Sequence, residues 1–300
     1  MKRFTPLGKL VIGFIFLIFI VVALLASVFI YKMRSPKEKT VNTYQTPKTS
    51  NVEAEEKNSI EIIDLPDFES TKEVETAITN LETIKDKNED AKYILDNINE
   101  IPDSLIKLAS NRVDALDFVA DYPNKKDTYN ESYESSYPLQ NSNFPLYILF
   151  DKNWGYSIYD DGPLAVIGCG PASAAMILTG FGEKQNPRTM MDEVIKKNYY
   201  INGTGTSWEG LTKILEDHKL KVEEIPLIES KYKEALNDGK VILLNVRPGL
   251  FTTIGHFLFI RGYDENGFYL NDSNSIRNSV IPWKFADLAN EIRASWTVEK

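Results

Sequence analysis

The sequence predicts an α+β domain set behind an N-terminal membrane span and a helical lead-in, and three observations predict it. Residues 10–31 form 22 consecutive positions without a charge. Between residues 70 and 119 apolar side chains recur at helical spacing. From residue 146 onward an apolar helical segment comes first, and strand-like runs separated by Pro, Gly, Asn and Asp follow, which is the order of an α+β fold.

The span comes first in the chain. At 1.5 Å per residue, 22 helical residues reach roughly 33 Å, enough for a hydrocarbon core. A cleavable signal peptide would need a shorter apolar core and a small-x-small exit, and Ala23, Ala26 and Ser27 do not give that spacing. An uncleaved anchor is therefore expected at 10–31, after a cytoplasmic head at 1–9. Lys2, Arg3 and Lys9 precede the span and Lys32, Arg34, Lys37 and Lys39 follow it, so charge bias alone does not orient it. The short head and long C-terminal portion suit a single-pass signal anchor with the C-terminal domain extracellular.

Residues 32–65 are rich in Thr, Asn, Ser, Pro, Lys and Glu, a composition that cannot offset the entropy of ordering, so a stalk is expected there. Residues 66–135 form the lead-in. Val74, Ile78, Leu81 and Ile84, then Leu105, Leu108, Val113, Leu116 and Val119, mark two or three helices broken at Ile101-Pro102-Asp103.

The remaining domain, 136–300, carries the chemistry. An apolar helix is expected over 171–182, stopping at Gly180 or Gly182. A second helix runs near 207–218, with Ser207 as N-cap and Gly210 leaving the capping box incomplete. Strands follow at Val241–Val246, His256–Tyr263 and 267–271, the last two joined by the hairpin signal Asp264-Glu265-Asn266-Gly267. A strand at 279–283, a short helix with Phe285, Leu288 and Ile292, and a strand near Trp296 complete the chain.

Charge and rare residues restrict the function. A net charge of −9 with no basic cluster beyond the span flanks excludes phosphate neutralisation, and with it a nucleic-acid partner. One cysteine among 300 residues cannot form an internal disulfide, so an exported chain would carry a free thiol that needs a reason. Cys169 lies just before Pro171, where a helix N-terminus with its partial positive charge favours the thiolate. His256 begins a strand among Ile254, Phe257 and Phe259, and Asp272 follows 16 residues later across the hairpin, beside the start of the histidine strand. A nucleophile, a base and a carboxylate that fixes the imidazole tautomer are the parts of an acyl-transfer site. The second histidine, His218, sits among charges at a helix end and reads as a solvated cap residue.

The runs WGYSIYDDGPLAVIGCGPASAAM, NGTGTSW and PGLFTTIGHFLFIRGYDENGFYLNDS resemble the papain-clan cysteine peptidases whose best-known members process double-glycine leaders of bacteriocins, in their stand-alone branch. The likeness covers roughly residue 105 to the C-terminus. It implies a papain-like α+β fold, a peptide or protein substrate, no cofactor or metal, and Cys169 as nucleophile, His256 as base and Asp272 as orienting acid. One position departs from the pattern. Relatives carry a glutamine whose amide helps form the oxyanion hole, whereas PLYILFDKNWG places Leu149 there, with Asn153 and Gln140 as nearby substitutes. Losing one such donor costs on the order of 100- to 1000-fold in rate. Three functions therefore stay open: a membrane-anchored peptidase, a cell-wall amidase or transpeptidase, and a catalytically weak peptide-binding module.

Overall fold

The computed structural model describes residues 69–139, 142–159 and 162–300. The expected cytoplasmic head at 1–9, membrane span at 10–31 and stalk at 32–65 all lie outside the described residues, as does Gln140. Among the described residues, no helix is long and apolar enough to cross a membrane.

The lead-in forms four α-helices: α1 (Val74–Ile84), α2 (Glu89–Asp96), α3 (Asp103–Asn111) and α4 (Leu116–Lys125). The break expected at Pro102 is present, with Pro102 at the N-cap of α3. Two further breaks raise the number beyond the two or three expected. Asn88 caps α2 by accepting from Ala91 N at 2.8 Å, and a 3₁₀ turn at Val113–Ala115 separates α3 from α4. The apolar faces bury Ala77, Leu81, Ile94, Leu105, Ile106 and Val119. Phe118 on α4 stacks on Tyr156, with centroids 4.2 Å apart and planes 8° from parallel, so the lead-in shares its core with the segment before the cysteine.

One short strand pair and two helices follow: β1 (Ile158–Tyr159) with β2 (Gly162–Pro163), then α5 (Leu164–Ile167) and α6 (Cys169–Gly180). The expected apolar helix is α6, beginning two residues earlier than the sequence suggests. It stops where Gly182 takes φ +96°, with Gly182 N bonded to Thr179 O at 3.0 Å and Glu183 N to Leu178 O at 2.9 Å. That left-handed position strains any residue with a Cβ. Next come α7 (Pro187–Lys196), β3 (Tyr200–Ile201), β4 (Gly205–Thr206) and α8 (Trp208–Asp217), whose N-cap Ser207 accepts from Gly210 N at 2.9 Å.

A five-stranded antiparallel sheet in the order β5-β9-β6-β7-β8 closes the fold, comprising β5 (Lys221–Glu224), β6 (Val241–Val246), β7 (His256–Tyr263), β8 (Phe268–Asn271) and β9 (Ile292–Glu299). Alternation sorts its side chains onto two covered faces. Val241, Leu243, Phe257 and Phe259 join the core around α6, while Ile242, Leu244, Leu258 and Ile260 join Tyr232 and Leu288 from α9 (Glu229–Asn237) and α11 (Phe285–Glu291). This is why β6 is apolar at every position but the buried Asn245.

The strand expected at 279–283 does not form. Residues Ile276–Val280 are helix α10, because Ser275 caps the turn by accepting from Asn278 N at 3.2 Å and Ser279 Oγ is drawn toward Asp272. Only Trp283 pairs with the sheet, through an isolated bridge to Phe268. His218 is a correction of another kind. It does occupy the C-cap of α8, but its side chain is only 16% exposed and lies 2.6 Å from Glu183 and 2.9 Å from Glu193. It ties α7 and the loop after α6 to α8 instead of facing water.

Two outcomes follow. Phe118→Ala removes a fully buried ring and should lower stability by about 3–5 kcal/mol, read as a shift in the urea midpoint. At His218 burial lowers the imidazole pKa, but hydrogen bonds and charge from Glu193 and Glu183 outweigh it and hold the pKa above 6.5. A raised pKa gives stability that is full below the unfolded value and lost as pH rises through the folded one. The melting-temperature gap between wild type and His218→Gln should accordingly be larger at pH 6 than at pH 9, and an equal gap at both would exclude the ion pairs as its source.

Candidate active site

Cys169 is the first residue of α6, so it stands among the backbone N–H groups that a helix leaves without intrahelical partners. The local sequence needs its glycines for close approach. A Cβ at Gly168 would meet Leu164 O at 2.6 Å, and one at Gly170 would collide with the Thr206 hydroxyl. These two glycines let α5 and β4 close around the thiol, which remains partly exposed. Pro171 falls in the first turn, where its missing N–H costs no helix bond.

His256 heads β7 opposite Val246, and its side chain is 2% exposed. Its Nε2 lies 2.8 Å from Asp272 Oδ1. Asp272 follows β8, is fully buried, and has further partners: Oδ1 accepts from Asn274 N at 2.9 Å and Oδ2 from Asn278 Nδ2 at 2.8 Å. The thiol contacts the His256 ring and the main-chain N–H groups of Phe257 and Gly170. Nε2 is committed to Asp272, so Nδ1 is the nitrogen left for the sulfur. The three residues singled out in the sequence therefore meet at one place, where α6, β7 and the turn after β8 converge.

The electrostatics follow from these contacts. Burial raises the Cys169 pKa, but the hydrogen bond and charge of His256, with the two N–H groups, outweigh it and hold the thiol below its ordinary value. For His256 burial opposes the charge, while Asp272 and the thiol favour it, and its pKa rises to about 9. Burial likewise opposes ionisation of Asp272. The charge and hydrogen bond of His256, with Asn278 and the Asn274 N–H, overcome it and keep the carboxyl below the usual range. The contacts thus shift both groups toward the thiolate–imidazolium pair, and the arrangement can perform nucleophilic attack followed by proton delivery. Among the described residues no group of three or more His, Cys, Asp or Glu side chains is placed to hold a metal ion.

Leu149 is 1% exposed, and its N–H donates to Ser273 O at 2.9 Å, which seats it against the Asp272 turn with no amide to offer. Asn153 turns elsewhere, donating to Glu134 O at 3.3 Å and accepting from Asn130 at 3.1 Å. Sequence reasoning missed Asn274, whose Nδ2 lies 3.3 Å from His256 Nδ1. Its only signal was a carboxamide two positions after the aspartate in NDSNS.

The sequence model of the Peptidase_C39 like family matches residues 143–299, just over half of the chain. No curated protein gives a match. Solved structures do: the peptidase domain of Streptococcus ComA, a bi-functional ABC transporter involved in a quorum sensing pathway, is 18% identical and aligns with 44% of this chain and 89% of its own, with a TM-score of 0.33. A C39-like peptidase from Bacillus anthracis is 13% identical over 45% of this chain and 89% of its own, with a TM-score of 0.31. The family match spans Cys169, His256 and Asp272 together with the helix and sheet that carry them, and so this chain belongs to the Peptidase_C39 like family and is a cysteine peptidase.

Proposed function

We propose that this peptidase hydrolyses peptide bonds through a thioester on Cys169, with His256 as general base and acid and Asp272 as the group that orients it. The observation that carries the reading is the 2.8 Å bond between His256 Nε2 and Asp272 Oδ1 beside a helix-end thiol. The Cys169 thiolate adds to the substrate carbonyl, and the oxygen becomes an oxyanion near the free N–H groups of α6. The proton on His256 Nδ1 passes to the leaving amine as the carbon–nitrogen bond breaks. Water then gives a proton to Nδ1 and attacks the thioester, releasing the acid and regenerating the thiolate–imidazolium pair. Asp272 keeps its proton off throughout and holds Nε2–H.

The location belongs to the same proposal. The uncharged stretch at 10–31 supports a single-pass anchor, and the polar residues 32–65 support a stalk holding the peptidase outside the membrane. A peptide or protein on the outer side is then the substrate class. Leu149 favours a second reading, a papain-like shell that binds peptides and cuts slowly.

Alkylation of the full-length chain in detergent tests the site. At pH 6 a free thiol is only about 0.3% ionised, so a Cys169 that iodoacetamide modifies no faster than a free thiol would sink the activated pair. The expected profile is rapid alkylation extending below neutrality, and peptidase activity that declines as pH rises past about 9, when the imidazolium loses its proton. Leu149→Gln buries an amide beside the Asp272 turn. If that amide finds no partner, stability should fall by about 1–3 kcal/mol with acylation unchanged, whereas a faster acylation with intact stability would assign the position to the oxyanion hole.

A further inference from the structure

Leu149 leaves the site short of an amide donor, and a neighbouring element holds one. The N–H of Leu149 donates to Ser273 O at 2.9 Å, so the segment carrying the departure is fastened to the turn that carries Asn274. The Asn274 side chain reaches the opposite side of the imidazole from Asp272, with Nδ2 3.3 Å from His256 Nδ1. Its main chain is fixed at both ends of the peptide unit. Asn274 N donates to Asp272 Oδ1 at 2.9 Å, and its carbonyl accepts from Arg112 Nε at 2.9 Å across the boundary between α3 and α4. Asn274 is itself only partly buried, so its amide can meet a bound peptide.

The protonation state decides what that amide does. With Nε2–H committed to Asp272, Nδ1 gains a proton only in the imidazolium, and a nitrogen that carries a proton cannot accept from Asn274 Nδ2. In the thiolate–imidazolium pair the amide N–H therefore loses that acceptor while staying beside the imidazole. The Cys169 thiol contacts the same imidazole ring that Asn274 Nδ2 approaches, so an oxygen developing on a carbonyl bound to the sulfur would form near this amide. We propose that Asn274 supplies the side-chain oxyanion donor absent at Leu149, working with the Cys169 main-chain N–H. The assignment rests on the peptidase reading above and names a catalytic residue within it.

The test uses the full-length chain and two probes that differ in one respect. p-Nitrophenyl acetate acylates the thiol through a tetrahedral oxyanion; iodoacetamide alkylates it by displacement and forms none. Cys169→Ala sets the background for both. Asn274→Ala should slow the p-nitrophenolate burst on the order of 100-fold, with the alkylation rate and its pH dependence unchanged. Asn274→Asp keeps the size of the side chain and the main-chain bonds but cannot donate, so its ratio of acylation to alkylation should fall as well, covering the case in which the alanine variant folds poorly. Equal loss with both probes would make Asn274 a residue that positions His256, and no loss with either would make it a bystander; each overturns the donor role. A wild-type thiol that alkylates like a free cysteine overturns the peptidase reading, and the donor role with it. A reactive wild-type thiol with an unchanged ratio in both variants overturns the donor role alone.

Discussion

The buried hydrogen bond between His256 and Asp272 is the constraint around which this domain is arranged. A carboxylate without solvent contact costs several kcal/mol unless it is paired and its lone pairs are satisfied. Asp272 meets both conditions by gathering its own turn. Oδ1 takes the Asn274 N–H and the imidazole, Oδ2 takes the Asn278 amide, and the Asp272 main chain meets Ser279 Oγ, which also donates to Ser275 O. The segment from Asp272 to Ser279 is thereby wound into a capped turn and α10 instead of continuing as strand. The same demand that keeps the carboxylate charged thus explains why the expected strand at 279–283 is replaced.

The pair also fixes where the thiol must be. With Nε2 occupied, only Nδ1 can face Cys169, and β7 delivers that nitrogen to the N-terminus of α6 because Phe257 and Phe259 pack into the core around the helix. Ser173 Oγ, one turn into α6, donates to Phe257 O at 3.3 Å and locks helix against strand. Gly168 and Gly170 then permit the approach of α5 and β4 that closes the sides. Each element is placed by ordinary packing, and the direction in which each group's pKa moves follows from the placement.

How much of this is legible in the sequence varies with the physical range of the signal. β6 and β7 are readable to the residue because one is apolar at every position but Asn245 and the other opens on a histidine and ends before a turn cluster. The Asp272 position is readable through the hairpin, since antiparallel pairing brings it back toward the start of β7 despite the register shift near Gly262. The N-cap of α8 is readable from Ser207. Helix α7 is missed although Asn186 and Thr189 form a reciprocal capping box with Pro187 between them, a local signal that was there to be used. β5 and α9 are a different case, being short, charged and held in place by partners distant in the chain, such as the pairing of Val222 with Val298. Asn274 and the ring contacts of His218 are long-range as well, and no local pattern announces them.

Arg112 shows why the lead-in belongs to the working molecule. The family match begins at residue 143, yet the guanidinium that caps the Asn274 carbonyl comes from residue 112, and Thr71 in turn exchanges bonds of 2.8 and 2.9 Å with Asn111 beside it. A turn that offers one carbonyl to an arginine and one N–H to a buried carboxylate has little freedom left. Stiffness of that kind suits a turn that holds a buried carboxylate against an imidazole, because such a pair acts best when it needs no reorganisation as charge develops. In this chain part of that rigidity comes from Arg112, outside the segment that the family model matches, so the lead-in contributes to the order of the site.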